Sequence, residues 1–259
     1  MGEWRVYAKA MKAVLMTKFE YRADFALGML SAAAMQASGL AFLGVVLHGT
    51  PALGGWSPPE IIFLFGITGT VLGLSELFFN HLWYLSMYVV GGELDRLLLY
   101  PVRSLPFFLL TSPELHALGN LGAGLALMGW SLWKLHLLWA APLALWWLLW
   151  GTLAYTGVLV VLASMAFVFK GPRLNLPMLG YHLLMATRYP LDIYPWAVRW
   201  GLLVAVPFGA SNFLPARALF HGGSLWPGLL LPPVAAALCL AAGHWAWTAG
   251  LKRYESTGS

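Results

Sequence analysis

Two carboxylates of this 259-residue chain stand inside long apolar runs, Glu76 and Glu114, and His116 and Asn120 follow close behind the second. A carboxylate at membrane depth is costly and normally faces a bundle interior or water. Glu76, Glu114, His116 and Asn120 therefore suit polar elements of a solute path. The same residues fit a second reading. Glu76 lies only about four residues from the inner end of its run, and Glu114 follows Ser112 and Pro113, a helix-start pattern. Both would then snorkel to the interface or cap a helix end. Catalysis would need paired groups at one depth. Glu76 with His81, or Glu114 with His116, would serve an intramembrane enzyme acting on lipids, but neither pair has a recognisable catalytic spacing.

Other reactive residue types carry less. The seven histidines (48, 81, 116, 136, 182, 221 and 244) form neither HExxH nor another close ligand pair, which argues against a metalloenzyme. Ser131 and Lys134 match SxxK only by spacing, in a short loop without an acyl-enzyme scaffold. No GxxxxGK[ST] phosphate loop occurs, so ATP, if it drives this protein, is hydrolysed by another chain. One cysteine, Cys239, excludes a disulfide framework and a cysteine metal cluster. Gly69 and Gly73, with Gly66 a turn earlier, bring helix backbones close, either within the chain or at a dimer seam. His244, Trp245 and Trp247 read as an interfacial aromatic belt.

The most informative string is Gly91-Gly92-Glu93-Leu94-Asp95-Arg96-Leu97-Leu98-Leu99-Tyr100-Pro101. Two glycines and a proline bound a short amphipathic helix, with Leu94, Leu97 and Leu98 on one face and Glu93, Asp95 and Arg96 polar. Such an apolar knob suits docking into another protein's groove or resting on lipid.

The elements that must position these residues are membrane spans. Hydrophobic residues make up 60% of the chain and charged residues 10%, against roughly 45–50% and 25% in soluble domains. Mean hydropathy is +0.73. A soluble fold and a disordered chain are both excluded. The excess of positive charge, +5, reads as a cytoplasmic bias and not as a nucleic-acid surface.

Six spans of about 20 residues are expected, at about 25–47, 60–80, 107–130, 142–168, 195–213 and 229–251. The 135–169 run is too long for one crossing, and Pro142 separates an interfacial start from the span. Residues 1–22 form an amphipathic interfacial helix, with Trp4, Tyr7, Ala8, Met11 and Leu15 beside Arg5, Lys9 and Lys12. Residues 81–106 make a loop with a short helix, 170–192 a polar connection, and 214–228 a segment broken by Pro215, Gly222, Gly223 and Pro227. With a cytoplasmic N-terminus, twelve of the fifteen Lys and Arg fall inside, including Arg188. Lys134 and Arg217 fall outside, and Arg199 sits near the cytoplasmic start of the fifth span. The bias places both termini in the cytoplasm.

At these residues the chain resembles a bacterial ABC-type-2 permease family. GGELDRLLLYPV resembles its G-x-LD-x-x-L-x-x-P element, and KFEYRAD (residues 18–24) resembles the E-Y-R approach to its first span. PFGASNFLPA (207–216) resembles its P-F-x-x-x-N-x-x-P-A element, and the tail GLKRYESTGS resembles its closing Y-x-S-x-G-S. The four motifs occur in order over nearly the whole chain.

The resemblance implies an all-α integral membrane protein, one permease domain over 1–259, with six transmembrane helices, an N-terminal interfacial helix and a cytoplasmic coupling helix. Segment 214–228 dips into the outer membrane face. The implied role is permease subunit of an ATP-driven exporter in the bacterial inner membrane. Its implied partners are a cytosolic ABC ATPase dimer, which binds the ATP and Mg, and a second, related but different permease. Gly92, Glu93, Leu94, Asp95, Arg96, Leu97 and Pro101 take the ATPase-coupling role, and no cofactor is expected in this chain. Two rivals remain, the lipid-acting enzyme and a non-transporting structural partner. The sequence does not name the substrate; an aromatic-rich, weakly charged bundle suits an amphiphile, lipid or hydrophobic drug.

Overall fold

In the computed structural model the described residues are 22–49, 52–110, 113–169 and 175–255, with Lys9, Met11, Lys12 and Met16 before them. The expected interfacial helix over 1–22 and the final residues of the tail motif therefore lie largely outside the described residues. Among those residues the fold is helical, and an isolated bridge pairs Leu53 with Trp56.

The first long helix, α1 (Arg22–Gly49), has only 17% of its best apolar window buried by the rest of the chain. It lies at the edge of the bundle. Helix α2 (Pro58–Phe79) starts where sequence says it should. Pro58 and Pro59 occupy the first turn, where no N–H is missed, and the Ser57 backbone N–H donates to Glu60 Oε2 at 2.7 Å. A 3-10 turn (Asn80–Tyr84) carries it into α3 (Leu85–Val90), and the apolar stretch Pro58–Val90 counts 33 residues. At 1.5 Å per residue this is about 50 Å, beyond a hydrocarbon core of about 30 Å. The expected loop at 81–106 is thus corrected: its first ten residues continue the span. The mixed run His81-Leu82-Trp83-Tyr84 hid this, because His81, polar in sequence, is paired inside with Phe108 O and Tyr88.

Short helices α4 (Glu93–Leu98) and α5 (Ser104–Leu110) follow. The expected third span at 107–130 divides at the residues before Leu115–Ala117, and its main part is α6 (Leu118–Lys134), 17 residues long. Helix α6 lies against α2 through glycines. A Cβ on Gly66 would stand 2.6 Å from Met128 N, on Gly124 2.6 Å from Thr70 N, and on Gly73 2.5 Å from Leu121 N. The small residues of α2 thus serve packing within the chain.

Pro142 does open the fourth long helix, α7 (Ala141–Ser164). The last, α12 (Trp226–Leu251), meets α7 where a Cβ on Gly243 would be 2.9 Å from Gly157 O.

Between α7 and α12 the structure departs from expectation. Helix α8 (Pro177–Ala186) runs back along α7, with Gly180 against Leu159 and Leu162. Chain 187–192 continues to the end of the bundle where α2 begins: Trp56 Nε1 donates to Asp192 Oδ2 at 3.2 Å. The polar connection expected on the cytoplasmic side is therefore corrected for its second half; residues 170–174 lie outside the described residues. Ten residues with His182 inside are too few and too mixed to read as a crossing.

The expected span at 195–213 is likewise a bent pair. Trp196–Ala205, comprising α9 (Trp196–Trp200) and a wide π turn, and Phe208–Phe220, comprising α10 (Phe208–Ser211) and α11 (Phe213–Phe220), meet at 73°. The break falls at Val206 and Pro207, because Val206 precedes proline and is extended (φ −130°, ψ 83°). Pro215 does not break the chain as expected, since it lies in the first turn of α11, where its missing N–H costs nothing. The arms return to one place: Arg199 and Arg217 both approach Asp192 Oδ1, at 3.0 and 3.6 Å. Arg199 therefore sits at the Trp56 end, not at the opposite end as expected.

Among the described residues four helices are long and apolar enough to cross a membrane, or five if the bent pair is one span.

Candidate functional site

A cavity of about 550 Å³ opens among α1, the α2–α3 stretch, the start of α6 and α8. It collects three of the four residues singled out for a solute path, Glu76, His116 and Asn120. Glu76 projects from the middle of the long stretch, with fourteen further helical residues to Val90, so it caps no helix end. Its Oε2 accepts from Asn120 Nδ2 at 2.9 Å across the α2–α6 seam. Glu114 stands at the N-cap position of the Leu115–Ala117 turn without capping it, and its Oε2 meets His116 Nδ1 at 3.1 Å. It reaches the cavity wall through His116. Gly28 of α1 backs the His116 ring.

Sequence reasoning missed the upper wall of this cavity. Gln36, from the middle of α1, is 2% exposed, and Arg188 follows α8. Arg188 Nη2 donates to Gln36 Oε1 at 2.8 Å, and its guanidinium lies over the Phe65 ring at 5.3 Å. Gln36 is the sole amide in the apolar 25–47 run, which was the available signal. Arg188 carried none, being one basic residue in a polar stretch. The two reach a common cavity with Glu76 although 152 residues separate one from the other.

The short helix expected after Gly92 is present as α4, at the far end of the α2–α3 stretch from Trp56. Gly92 is its N-cap at φ +71°, a left-handed conformation that favours glycine. Pro101 is exposed just beyond, where Val102 N donates to Tyr100 O at 2.8 Å. The side-chain directions correct the expected docking face. Leu94 is 1% exposed and packs into the protein's own core, and Leu97 is half-buried against it. Glu93 and Arg96 are exposed, Asp95 is half-buried, and the free apolar surface is Leu98, Leu99 and Tyr100, with Leu99 83% exposed.

An aromatic floor holds α4 in place. Trp247, expected in an exposed belt, is instead 1% exposed; its Nε1 donates to Ser104 Oγ at 3.1 Å, and its ring contacts Phe108 and Phe167. Trp245, two residues away, is 72% exposed, as a belt residue is. His81 Nδ1 donates to Phe108 O at 2.8 Å, which leaves Nε2 to accept from Tyr88 Oη at 3.2 Å. Tyr254, beyond the end of α12, meets Phe167 and faces Asp95 of α4. Its phenol is held above the usual tyrosine range, by burial first and by the Asp95 carboxylate second. The last helix and the tail are thus tied to α4.

Among the described residues no group of three His, Cys, Asp or Glu could hold a metal ion. What the arrangement offers is a polar cavity inside an apolar bundle and, beneath it, a short helix with an exposed apolar face.

A family model described as ABC-2 family transporter protein matches residues 33–258. No curated protein and no solved structure matches the chain.

Proposed function

The chain belongs to the ABC-2 transporter family, and from that premise we propose that it is the membrane-spanning permease subunit of an ATP-driven exporter. One observation supports the reading most. The Pro58–Val90 stretch is about 20 Å longer than the hydrocarbon core and carries, at its far end, a short helix that ends in the exposed apolar run 98–100. Leu98, Leu99 and Tyr100 would be poorly placed in water and suit the groove of a cytosolic ATPase. Leu94 anchors α4 from within, Gly92 and Pro101 set the turn, and Glu93, Asp95, Arg96 and Leu97 border the contact.

In this reading the ATPase dimer binds ATP and Mg, and closes. The movement enters through α4 and passes along α3 and α2, to which α6 is locked by Gly66, Gly73 and Gly124. The cavity bearing Glu76, Asn120 and His116, with Glu114 behind His116, is this chain's part of the path. A second permease, related to this one, completes the path against the little-covered α1. With the short α6 and the α8-to-α11 segment counted, six membrane-embedded units cross or enter the bilayer, and both termini lie in the cytoplasm of a bacterial inner membrane. The basic residues support that orientation even with Arg188 and Arg199 moved, since Arg96, Arg103, Lys252 and Arg253 gather at the α4 end.

The test is reconstitution. Purified permease with its ATPase in proteoliposomes should show ATP hydrolysis that rises on assembly and falls when Leu99 is replaced by Glu. Hydrolysis indifferent to the permease would end this reading.

A further inference from the structure

The Arg188–Gln36 corner of the cavity has an unusual balance of charge. A guanidinium cannot lose its proton in a protein and carries five N–H donors. Among the described residues Arg188 donates to Gln36 Oε1, and its Nε is buried without a partner. Gln36 Nε2 is buried without a partner as well. No carboxylate among the described residues forms an ion pair with Arg188. Glu76 lines the same cavity but belongs to its other end: Arg188 lies over Phe65, eleven residues up α2, about 16 Å of helix. A cation at the middle of a bundle, short of acceptors and beside a second idle donor, is expensive unless something anionic meets it.

The cavity also has a side mouth. Met35 of α1, Met87 of α3 and Met178 of α8 line it and are 63%, 61% and 43% exposed. Their exposed side chains give the cavity an apolar rim. Methionines fit apolar chains of varied shape.

We propose that this cavity is a binding site for an anionic amphiphile. Its phosphate, sulfonate or carboxylate head accepts from Arg188 and Gln36, and its apolar part leaves between Met35, Met87 and Met178. The proposal rests on the transporter reading only in taking the occupant as cargo; the site itself is a property of this chain. A guanidinium matches the planar oxygens of such heads in two parallel hydrogen bonds, which an ammonium does not. The guanidinium itself disfavours a cationic head at this end of the cavity, because like charges repel there.

The test uses the full chain in nanodiscs of neutral phosphatidylcholine, without any ATPase. Fluorescent single-chain amphiphiles with one tail and three heads, phosphate, phosphocholine and trimethylammonium, are titrated by anisotropy. The phosphate head should bind most tightly, by about tenfold or more. Arg188→Met should erase that preference, and Arg188→Lys should keep part of it. Gln36→Glu, nearly isosteric, should pair Arg188 from within, lower phosphate-head affinity at least about tenfold and leave the chain folded.

Equal binding of the three heads overturns the proposal, as does unchanged phosphate-head affinity in Gln36→Glu. Displacement of the probe by inorganic phosphate at the probe's own concentration would overturn its amphiphilic part. Adding phosphatidylglycerol to the nanodisc separates the sources: displacement identifies the bilayer lipid as the occupant, and retention identifies an arriving single-chain cargo. Loss of ATPase coupling in reconstitution would sink the transporter reading and leave these affinities standing.

Discussion

Leu94, in α4, and Leu99, at its C-cap, are five residues apart and should fail in opposite ways. Leu94 is 1% exposed and belongs to the core. Leu94→Ala deletes a buried side chain and leaves a cavity, a change that costs about 2–5 kcal/mol. It should lower the melting temperature of the purified protein by several degrees, and ATPase binding should fall only as far as folding does. Leu99 is 83% exposed, so Leu99→Glu should change stability by no more than about 0.5 kcal/mol. It should nevertheless place a charge in the apolar contact and reduce ATPase co-purification about tenfold or more, the scale of an interface hot spot. The assay is paired: thermal unfolding of each variant in detergent, and pull-down of the ATPase by the tagged permease. Wild-type ATPase binding by Leu99→Glu, or an unchanged melting temperature for Leu94→Ala, would refute the assignment of inner and outer faces.

Other expectations follow from the packing. Gly73→Val should destabilise by about 1–3 kcal/mol, since its Cβ would meet the Leu121 backbone and not a movable side chain; Gly44→Val, where the space is open, should not, and thermal unfolding separates them. Asn120→Leu removes the donor to Glu76 Oε2 and should lower transport with little loss of folded protein, measured by vesicle uptake against yield. Cysteines at Asp192 and Arg217 should react with an impermeant maleimide from the same membrane side as one at Ser57, and a cysteine at Leu99 from the other; Cys239 is 8% exposed and should stay silent. Labelling of position 192 from the Leu99 side would restore the polar connection that the sequence suggested.

The long apolar helices were legible because lipid asks little of a span beyond length and hydrophobicity. The runs at 25–47, 142–168 and 229–251 became α1, α7 and α12 with small shifts at their ends. What composition could not separate was burial within the protein from exposure to lipid. Trp245 and Trp247 are alike in sequence, yet one is 72% and the other 1% exposed. Leu94 and Leu99 pose the same problem at α4.

The bent pair was misread for a related reason. Residues 195–213 are apolar enough to cross, and only Asp192 gathering Arg199 and Arg217 shows that the arms return to one end. Half of the cavity was visible because Glu76 and Glu114 are conspicuous in apolar surroundings. Arg188 stayed hidden because its meaning comes from Gln36 and Phe65, far away in sequence and adjacent in space.

The central claim is that α4 meets a separate ATPase through its exposed apolar end. A photo-crosslinking amino acid at position 99 in living cells tests it most directly, with position 94 as the internal control. The account predicts an adduct from position 99 to a protein that carries a nucleotide-binding phosphate loop, and adducts from position 94 only within the chain. Crosslinks from position 99 to lipid alone, or an ATPase adduct formed as well from the buried position 94, would contradict it.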